Sequence, residues 1–370
     1  MRLLFAIKTL ALPGGGTERV LADLTSALAR RGHEMTVLSF DRPGQEPFYT
    51  LDPAVQRLSL GIGDVGRGTR PGEAIGRVRA LRRLVTEVRP DVAVGFMHSA
   101  YLPLGLGLMR TPIPVVASEH IAYDHYRTRP LQAALLRMTP AVAKVITVIS
   151  PAIRDGFPAS LRRRMAVVPN PVSAHDRRRA DVGGEGPAPK TLLAVGRLEE
   201  QKDHMTLIGA FARLAERFPD WRLRIVGEGS LRQSLEAQVA RLGLGERVSL
   251  PGATARIDDE YVAAQLFAMP SSYESFGLTT AEALSHGLPV VGFADCPGTN
   301  ELVRHGFNGA LVSGADREAA LAQGLAPLMA SAELRQRLAA AGPDSIEGFA
   351  PERIVDVWEA LLSRIASAPE

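Results

Sequence analysis

Glu274 and Glu282 are separated by seven residues around a predicted helix start. The apolar run 266–270 predicts a buried strand, and the stretch from Thr279 to Gly287 predicts a helix. This places Glu274 on the intervening loop and Glu282 in the first helical turn. Amides at a helix N-terminus bind phosphate, and carboxylates accept hydrogen bonds from sugar hydroxyls. The spacing predicts a site for a sugar joined to a phosphate. The alternative is a solvated Glu274 and a Glu282 that only complements the helix dipole.

Two cations, Arg197 and Lys202, follow the first predicted strand of the second half of the chain. Cations at the carboxyl end of a strand suit a diphosphate, whose negative charge grows as a sugar leaves it. The alternative is a set of solvated loop charges neutralised by Glu199, Glu200 and Asp203. The diphosphate interpretation agrees with the one drawn from the carboxylates.

Two features of the first half also suit ligand binding. Gly14-Gly15-Gly16 is predicted to follow a strand directly and to open a helix, so the backbone can approach a bound group closely. The spacing is not Gly-x-Gly-x-x-Gly, which disfavours a dinucleotide, and a plain tight turn remains open. His120 follows a predicted strand in Ser118-Glu119-His120, at the carboxyl end, although a lone histidine is more often structural.

These features, in this order, resemble the retaining glycosyltransferases of family four, which have the GT-B fold. The resemblance covers almost the whole chain, and the motif from Glu274 to Glu282 carries it. Shorter motifs support it: Gly14-Gly15-Gly16-Thr17-Glu18-Arg19, Ser118-Glu119-His120, Val195-Gly196-Arg197-Leu198 with Gln201-Lys202, Val226-Gly227-Glu228-Gly229, and Pro297-Gly298-Thr299-Asn300-Glu301. Cys296-Pro297-Gly298 stands where many relatives have Gly-Gly. The resemblance implies an α/β protein of two Rossmann-like domains facing a central cleft, with a C-terminal helix crossing back to the first domain.

The resemblance also implies an activity: metal-independent transfer of a sugar, with retention, from a UDP- or GDP-sugar to a hydroxyl of a saccharide. It implies catalytic roles for Glu274, His120, Arg197 and Lys202. The implied donor-binding residues are Gly15, Gly16, Arg197, Lys202, Glu228, Glu274, Phe276, Gly277, Leu278, Thr279 and Glu282. Glu282 would bind the ribose, Glu274 and His120 the transferred sugar, and the two cations the diphosphate. No cofactor is implied, because the nucleotide sugar is a substrate.

Among such enzymes, the pattern looks most like bacterial ones that extend lipid-linked saccharides for exopolysaccharide, capsule or glycoprotein glycans. Two other classes remain as alternatives. A sugar-nucleotide 2-epimerase of the GT-B fold would consume the donor without an acceptor and alter its sugar. A non-catalytic sensor would bind the nucleotide sugar without turnover.

Composition limits the class of protein further. A chain of 370 residues with 46% hydrophobic and 22% charged residues suggests a globular protein of two domains. Its single cysteine, Cys296, fits a reducing compartment. The apolar run at the N-terminus is too short for a signal peptide, and no run reaches the roughly 20 apolar residues of a spanning helix. These observations predict a cytoplasmic protein.

The net charge of +3 is unevenly divided, because residues 1–170 carry +10 and residues 171–370 carry −7. The first half therefore suits an anionic partner. Scarce aromatic residues and the lack of a reading motif argue against nucleic acid, and no metal-ligand spacing is present. An anionic membrane surface at the inner face of the membrane, or a phosphate-bearing acceptor, is the better candidate. The basic residues Arg77, Arg79, Arg82, Arg83 and Arg89 lie on a predicted helix whose default interpretation is a solvated face.

Alternating strands and helices in both halves predict parallel sheets covered on both faces. Strands are predicted at 3–7, 35–39, 91–94, 114–117, 144–149, 191–195, 222–226, 248–250, 266–269 and 289–292. Pro169-Asn170-Pro171 and the polar stretch after it predict a boundary. The predicted division is an acceptor-side domain 1–170 with 350–370 packed on it, a linker 171–189, and a nucleotide-sugar domain 190–349. An amphipathic helix is predicted from 351 to 365.

Overall fold

The structure is a computed structural model that describes residues 1–66, 70–172, 178–184, 186 and 188–367. The chain divides into two compact units. The first comprises Met1–Pro171 and Pro351–Glu370, and the second comprises Val172–Ala350. Arg177, which falls in the predicted linker, lies outside the described residues. None of the helices in the described ranges is long and apolar enough to cross a membrane.

The first unit contains a parallel sheet in the order β3-β2-β1-β4-β5-β6-β7. Its strands are β1 Arg2–Ile7, β2 Glu34–Ser39, β3 Gln56–Ser59, β4 Val92–Phe96, β5 Val115–Glu119, β6 Val145–Val148 and β7 Met165–Val167. Its helices are α1 Gly16–Arg30, α2 Pro71–Val88, α3 His98–Leu108, α4 Asp124–Arg127, α5 Pro130–Arg137, α6 Thr139–Val142, α7 Pro151–Gly156 and α8 Ala159–Arg162, with the C-terminal helix described below. Strands β1, β2, β4 and β5 are buried almost throughout, as expected of a parallel sheet covered on both faces.

The second unit repeats this architecture with a parallel sheet in the order β10-β9-β8-β11-β12-β13. Its strands are β8 Lys190–Val195, β9 Trp221–Val226, β10 Val248–Gly252, β11 Leu266–Met269, β12 Val290–Phe293 and β13 Gly309–Val312. Its helices are α9 His204–Ala215, α10 Arg232–Arg241, α11 Ile257–Ala263, α12 Leu278–Ser285, α13 Thr299–Leu302, α14 Arg317–Ala330 and α15 Ala332–Ser345, with 3-10 turns at Glu200–Lys202 and Glu347–Phe349. The carboxyl ends of β8 and β11, which are adjacent, therefore lie at one edge of the sheet.

The C-terminal helix α16, Pro351–Ser367, belongs to the first unit. Trp358 packs on Phe5 of β1 and on Phe96 of β4, with ring centroids 6.1 and 6.3 Å apart. Arg31 forms an ion pair with Glu359, and His33 Nε2 lies 2.8 Å from Glu359 Oε1. The apolar residues predicted for this helix are buried, except for Val357, which is 42% exposed.

The described part of the predicted linker packs on the second unit. The guanidinium of Arg335, only 1% exposed, donates hydrogen bonds to the carbonyls of Val182 and Gly183 and lies over the Trp221 ring. Arg179 donates to the carbonyl of Ser285. The composition of this segment is that of a linker. In the structure, however, hydrogen bonds to backbone carbonyls hold it on the second unit, and the sequence pattern does not reveal them.

Candidate functional site

Lys202 and Glu274, both predicted as catalytic, contact each other in the second unit. Lys202 Nζ lies 2.5 Å from Glu274 Oε1, and the side chains are only 13% and 9% exposed. Ser271 Oγ donates to the same carboxylate oxygen at 2.6 Å. Two donors therefore fix one oxygen of Glu274. This excludes the alternative in which Glu274 is merely solvated.

The loop that carries Glu274 is held by the loop after β12. The amide of Glu274 donates to the carbonyl of Pro297 at 3.2 Å. Gly298 has φ +78°, and a Cβ there would lie 2.8 Å from the carbonyl oxygen of Glu274. A side chain at this position would displace the carboxylate, so glycine is required by contact as well as by conformation.

The segment between β8 and α9 brings Lys202 to the same edge of the sheet. The methylenes of Lys202 lie over Gly196, and Gly227 packs so closely that a Cβ there would lie 1.9 Å from the Gly196 carbonyl oxygen. Gln201 Nε2 donates to the carbonyl of Tyr273 at 2.7 Å and so joins this segment to the Glu274 loop. The side chain of Arg197, by contrast, is exposed.

Helix α12 begins directly after the Glu274 loop, with Gly277 as its N-cap and Leu278 as its first residue. The ring of Phe276 is buried edge-on against Phe349, so its side chain serves packing. Thr279 Oγ1 is buried and has no hydrogen-bond partner among the described residues. The helix N-terminus thus lies four residues after Glu274 and offers amides beside a carboxylate and a cation.

The sequence pattern predicts Glu282 in the first turn of α12, but in the structure it lies in the second turn. It is 3% exposed, and Tyr261 donates a hydrogen bond to its Oε2 at 2.7 Å. A carboxylate placed only to complement the helix dipole would lie nearer the N-terminus and face solvent. Because Glu282 is buried and accepts a hydrogen bond from Tyr261, it does more than complement the helix dipole.

Glu228, predicted as donor-binding, pairs with Arg232. Its Oε1 lies 2.6 Å from Arg232 Nη2 and its Oε2 lies 2.9 Å from Arg232 Nε. These hydrogen bonds lower the pKa of the Glu228 carboxyl. The side chain is 47% exposed. Within the part of the chain that the structure describes, Glu228 hydrogen-bonds to Arg232 rather than to the Lys202–Glu274 pair.

Sequence reasoning missed two residues next to Lys202. Arg317 Nε lies 3.3 Å from Asp203 Oδ2, while its Nη2 donates to the carbonyls of Pro270 and Ser271 at 3.1 and 3.4 Å. Arg317 therefore joins the segment carrying Lys202 to the strand end before Glu274. His204 is 3% exposed, and burial, followed by the charge of Lys202, lowers its pKa to about 4.

His120, the predicted catalytic residue of the first half of the chain, lies in the first unit directly after β5. Its Nε2 is 3.0 Å from Ser118 Oγ, which also accepts a hydrogen bond from Thr147. Its ring stacks on Phe96 with centroids 5.0 Å apart. Burial lowers the pKa of His120 to about 4, so the imidazole is neutral at pH 7. A neutral imidazole suits a hydrogen bond to a sugar hydroxyl.

A second buried polar group lies beside His120. Glu119 is fully buried and accepts hydrogen bonds from the hydroxyls of Tyr101 and Tyr126 at 2.8 and 3.0 Å. Burial raises the pKa of Glu119 to about 7. Tyr126 also contacts His98, whose pKa burial lowers to about 4. These contacts hold the segment after β5 in place.

Gly15 and Gly16 do not follow a strand directly, contrary to the prediction. Strand β1 ends at Ile7, and residues 8–15 lie between it and helix α1. Gly15 is the N-cap of α1 and is buried beside the Glu18 side chain, whereas Gly16 is exposed. The glycines open a helix, as predicted, but at the end of a longer loop.

No cluster of three or more His, Cys, Asp or Glu side chains suited to a metal ion occurs within the described ranges.

The two units resemble solved structures throughout their length. HepE from Anabaena, whose structure contains UDP and glucose, matches with a TM-score of 0.78 and 21% identity over 98% of this chain and 99% of that chain. Sucrose-phosphate synthase from Thermosynechococcus elongatus matches with a TM-score of 0.82 and 22% identity over 100% of both chains. Two Rossmann-like parallel-sheet units with these neighbours define a protein of the GT-B fold.

The sequence comparisons identify the family. Residues 14–176 match the family model Glycosyltransferase Family 4, and residues 178–345 match Glycosyl transferases group 1. The chain belongs to these glycosyltransferases, which confirms the resemblance drawn from its motifs.

Curated relatives span nearly the full chain. An uncharacterized glycosyltransferase of Haemophilus influenzae is 24% identical over 94% of this chain and 96% of its own length. The GalNAc-α-(1→4)-GalNAc-α-(1→3)-diNAcBac-PP-undecaprenol α-1,4-N-acetyl-D-galactosaminyltransferase of Campylobacter jejuni is 25% identical over 100% of both chains.

Proposed function

We propose that the protein transfers a sugar from a UDP- or GDP-sugar to a hydroxyl of a saccharide acceptor, with retention of the anomeric configuration, in bacterial polysaccharide or glycan biosynthesis. The observation that carries the proposal is the contact between Lys202 and Glu274 beside the N-terminus of α12. One carboxylate, one ammonium and a row of helix amides match a sugar joined to a diphosphate. HepE, which shares the fold, was crystallised with UDP and glucose.

In this proposal each group has a defined task. The amides at the start of α12 and the ammonium of Lys202 bind the diphosphate, and Arg197 reaches it from the exposed loop. Glu274 accepts hydrogen bonds from the transferred sugar, and Glu282 accepts them from the ribose. His120 of the first unit is neutral at pH 7, so its imidazole is suited to a hydrogen bond with a sugar hydroxyl. Cations placed where charge grows stabilise the transition state more than the ground state.

The reaction proceeds as a front-face displacement. The bond between the anomeric carbon and the acceptor oxygen forms on the face from which the bond to the diphosphate oxygen breaks. The acceptor proton passes to the departing diphosphate, which acts as the base. Glu274 forms no covalent bond in this course: Lys202 and Ser271 hold its Oε1, and its other oxygen is left to accept a hydrogen bond from the sugar. Lys202 instead stabilises the leaving group.

The acceptor is proposed to be lipid-linked, as the name of the Campylobacter jejuni relative, with its PP-undecaprenol group, specifies for that enzyme. Helix α2 of the first unit exposes Arg79, Arg82 and Arg83. Arg77, predicted on the same face, is instead 2% exposed and packs over Phe40. Helix α2 packs against α3, and α3 packs against α6. Exposed apolar side chains on α3 and α5 and just before α6 add to this surface: Leu106, Met109, Leu131, Leu135 and Met138.

Exposed cations near exposed apolar side chains suit an anionic membrane surface, so we place the enzyme in the cytoplasm at the inner face of the membrane. Co-sedimentation with vesicles tests this. Binding is expected to rise with the anionic lipid fraction and to fall with salt, and neutralising Arg79, Arg82 and Arg83 together should release the protein. Equal, salt-insensitive binding by both proteins, or none by either, would leave these arginines as a solvated face.

Release of UDP or GDP from a panel of nucleotide sugars, with and without saccharide acceptors, tests the activity itself. We expect acceptor-dependent release that Lys202→Met and Glu274→Gln each slow by about a hundredfold. Lys190→Met is the matched control, because Lys190 begins the strand that Lys202 follows and pairs only with exposed Asp220 among the described contacts. Donor consumption without acceptor and with an altered sugar would instead identify a 2-epimerase, and binding without turnover would identify a sensor.

A further inference from the structure

The carboxylate of Glu282 is held by a buried tyrosine from a different helix. Tyr261, in α11, is 0% exposed, and its hydroxyl donates to Glu282 Oε2 at 2.7 Å. Glu282 is itself 3% exposed. A hydroxyl donor to a buried carboxylate satisfies part of its hydrogen-bonding capacity and fixes its orientation.

The ring of Tyr261 is fixed in turn by its neighbours. It stacks on His286 with centroids 5.3 Å apart and planes 18° apart, and it lies against Phe267 of β11 at 5.9 Å. His286 is 0% exposed, and its ring nitrogens contact the Arg178 carbonyl at 2.9 Å and Asp258 Oδ1 at 3.3 Å. Because His286 follows Glu282 by four residues, both lie on the face of α12 that meets α11.

We infer that Tyr261 is a positioning residue through which the donor site distinguishes ribose from deoxyribose. The inference rests on the proposed function, in which Glu282 accepts hydrogen bonds from the ribose hydroxyls. A carboxylate held in one orientation binds two vicinal hydroxyls better than one that rotates, because its ordering is complete before the ligand arrives. The tyrosine hydroxyl therefore contributes to the affinity for ribose and leaves the affinity for the diphosphate unchanged.

Calorimetric titration of the full chain with UDP and with 2′,3′-dideoxy-UDP tests the inference, with GDP and its dideoxy form as the second pair. Tyr261→Phe removes one oxygen atom and keeps the ring stack. We expect it to weaken UDP binding about tenfold, the usual effect of losing a hydrogen bond to a charged group, and to change dideoxy-UDP binding less than twofold. The discrimination between the two nucleotides should fall accordingly. In a Glu282→Gln background, Tyr261→Phe should have little further effect on either affinity.

Tyr101→Phe is the matched control, since Tyr101 donates the same kind of hydrogen bond to the buried Glu119 in the first unit. It should bind both nucleotides as the wild type does. Equal weakening of both nucleotides by Tyr261→Phe at unchanged melting temperature, or no change in either, would overturn the inference. Equal affinity of the wild type for UDP and dideoxy-UDP would also overturn the inference. That result would leave the proposed transfer reaction standing.

A wild type that binds none of these nucleotides would refute the proposed function and, with it, the inference. If Tyr261→Phe fails to fold, Asp258→Asn provides the second variant, because it removes the charge that faces His286. We expect Asp258→Asn, like Tyr261→Phe, to reduce the ratio of the affinity for UDP to the affinity for dideoxy-UDP. An unchanged ratio in this variant would overturn the inference.

Discussion

Removing the ammonium of Lys202 should destabilise the second unit as well as stop the reaction. In Lys202→Met, Glu274 would keep the hydrogen bond from Ser271 but lose its cation at a position where its side chain is only 9% exposed. Breaking one side of a buried ion pair costs about 3–5 kcal/mol. The residual exposure of both side chains favours the lower end, about 3 kcal/mol. For a unit of this size that corresponds to a fall in melting temperature of roughly 6–12 °C.

A double variant distinguishes the cost of leaving the Glu274 charge unpaired from the cost of losing the lysine side chain itself. Lys202→Met/Glu274→Gln removes the unpaired charge while keeping an oxygen for Ser271, so it should recover about 2 kcal/mol of the free energy of unfolding. Lys190→Met should cost less than about 1 kcal/mol, because its partner Asp220 is 54% exposed. Urea unfolding followed by circular dichroism gives these three values.

Activity should respond differently from stability. Loss of one group that stabilises developing charge costs on the order of 3 kcal/mol, or about a hundredfold in kcat. Both the single and the double variant should therefore turn over about a hundredfold more slowly than the wild type, although the double variant is more stable than the single one. The reasoning is refuted if Lys202→Met is as stable as the wild type, if the double variant is less stable than the single one, or if turnover stays unchanged while only KM rises.

Three further predictions follow from the same contacts. Arg317→Met should lower the free energy of unfolding by about 2 kcal/mol and reduce turnover, because Arg317 joins the two loops of the site. Arg213→Met should do neither, because Arg213 lies in α9 and pairs with the exposed side chains of Asp316 and Glu318 at the start of α14. Since burial raises the pKa of Glu119 to about 7, its protonated form stabilises the fold fully below about pH 4.5, and this contribution is lost as the pH rises through 7. Relative to Glu119→Gln, the wild type should lose up to about 3 kcal/mol across that window in urea titrations. Turnover should survive EDTA, because Lys202 and Arg197 supply the charge at the diphosphate. Loss of activity that Mg²⁺ or Mn²⁺ restores would contradict this assignment.

The architecture of both units could be predicted from the sequence because buried parallel strands are continuous apolar runs. Strand β11 matches its predicted bounds, and most other predicted strands agree within two residues. Strands β3, β7 and β13 were not predicted, since each lies at or near the edge of its sheet and lacks a clear apolar run. Helix α3 was also missed, because Pro103 and two glycines interrupt its pattern.

The candidate site could be predicted only in part. The motif spacing located Glu274 and Lys202 at adjacent strand ends, and the parallel sheet brings them together. Nothing in the sequence links Tyr261 to Glu282, or Arg317 to Pro270, because these contacts join residues 21 and 47 positions apart through tertiary packing. The contact from Ser271 to Glu274 could have been anticipated most easily, because the Ser271 hydroxyl lies two residues beyond a buried strand.

In the proposed function, the charge balance at this edge of the second unit would suit the ion pair between Lys202 and Glu274 to a nucleotide sugar. An unpaired lysine there would be mobile, and ordering it on binding would reduce affinity. Pairing with Glu274 orders Lys202 in advance but cancels one charge. Arg197, with its exposed side chain, and the roughly half charge at the start of α12 then remain to offset a dianionic diphosphate. Because this compensation is incomplete in the ground state, the ammonium of Lys202, which has donors beyond the one facing Glu274, gains most as further charge develops on the leaving group.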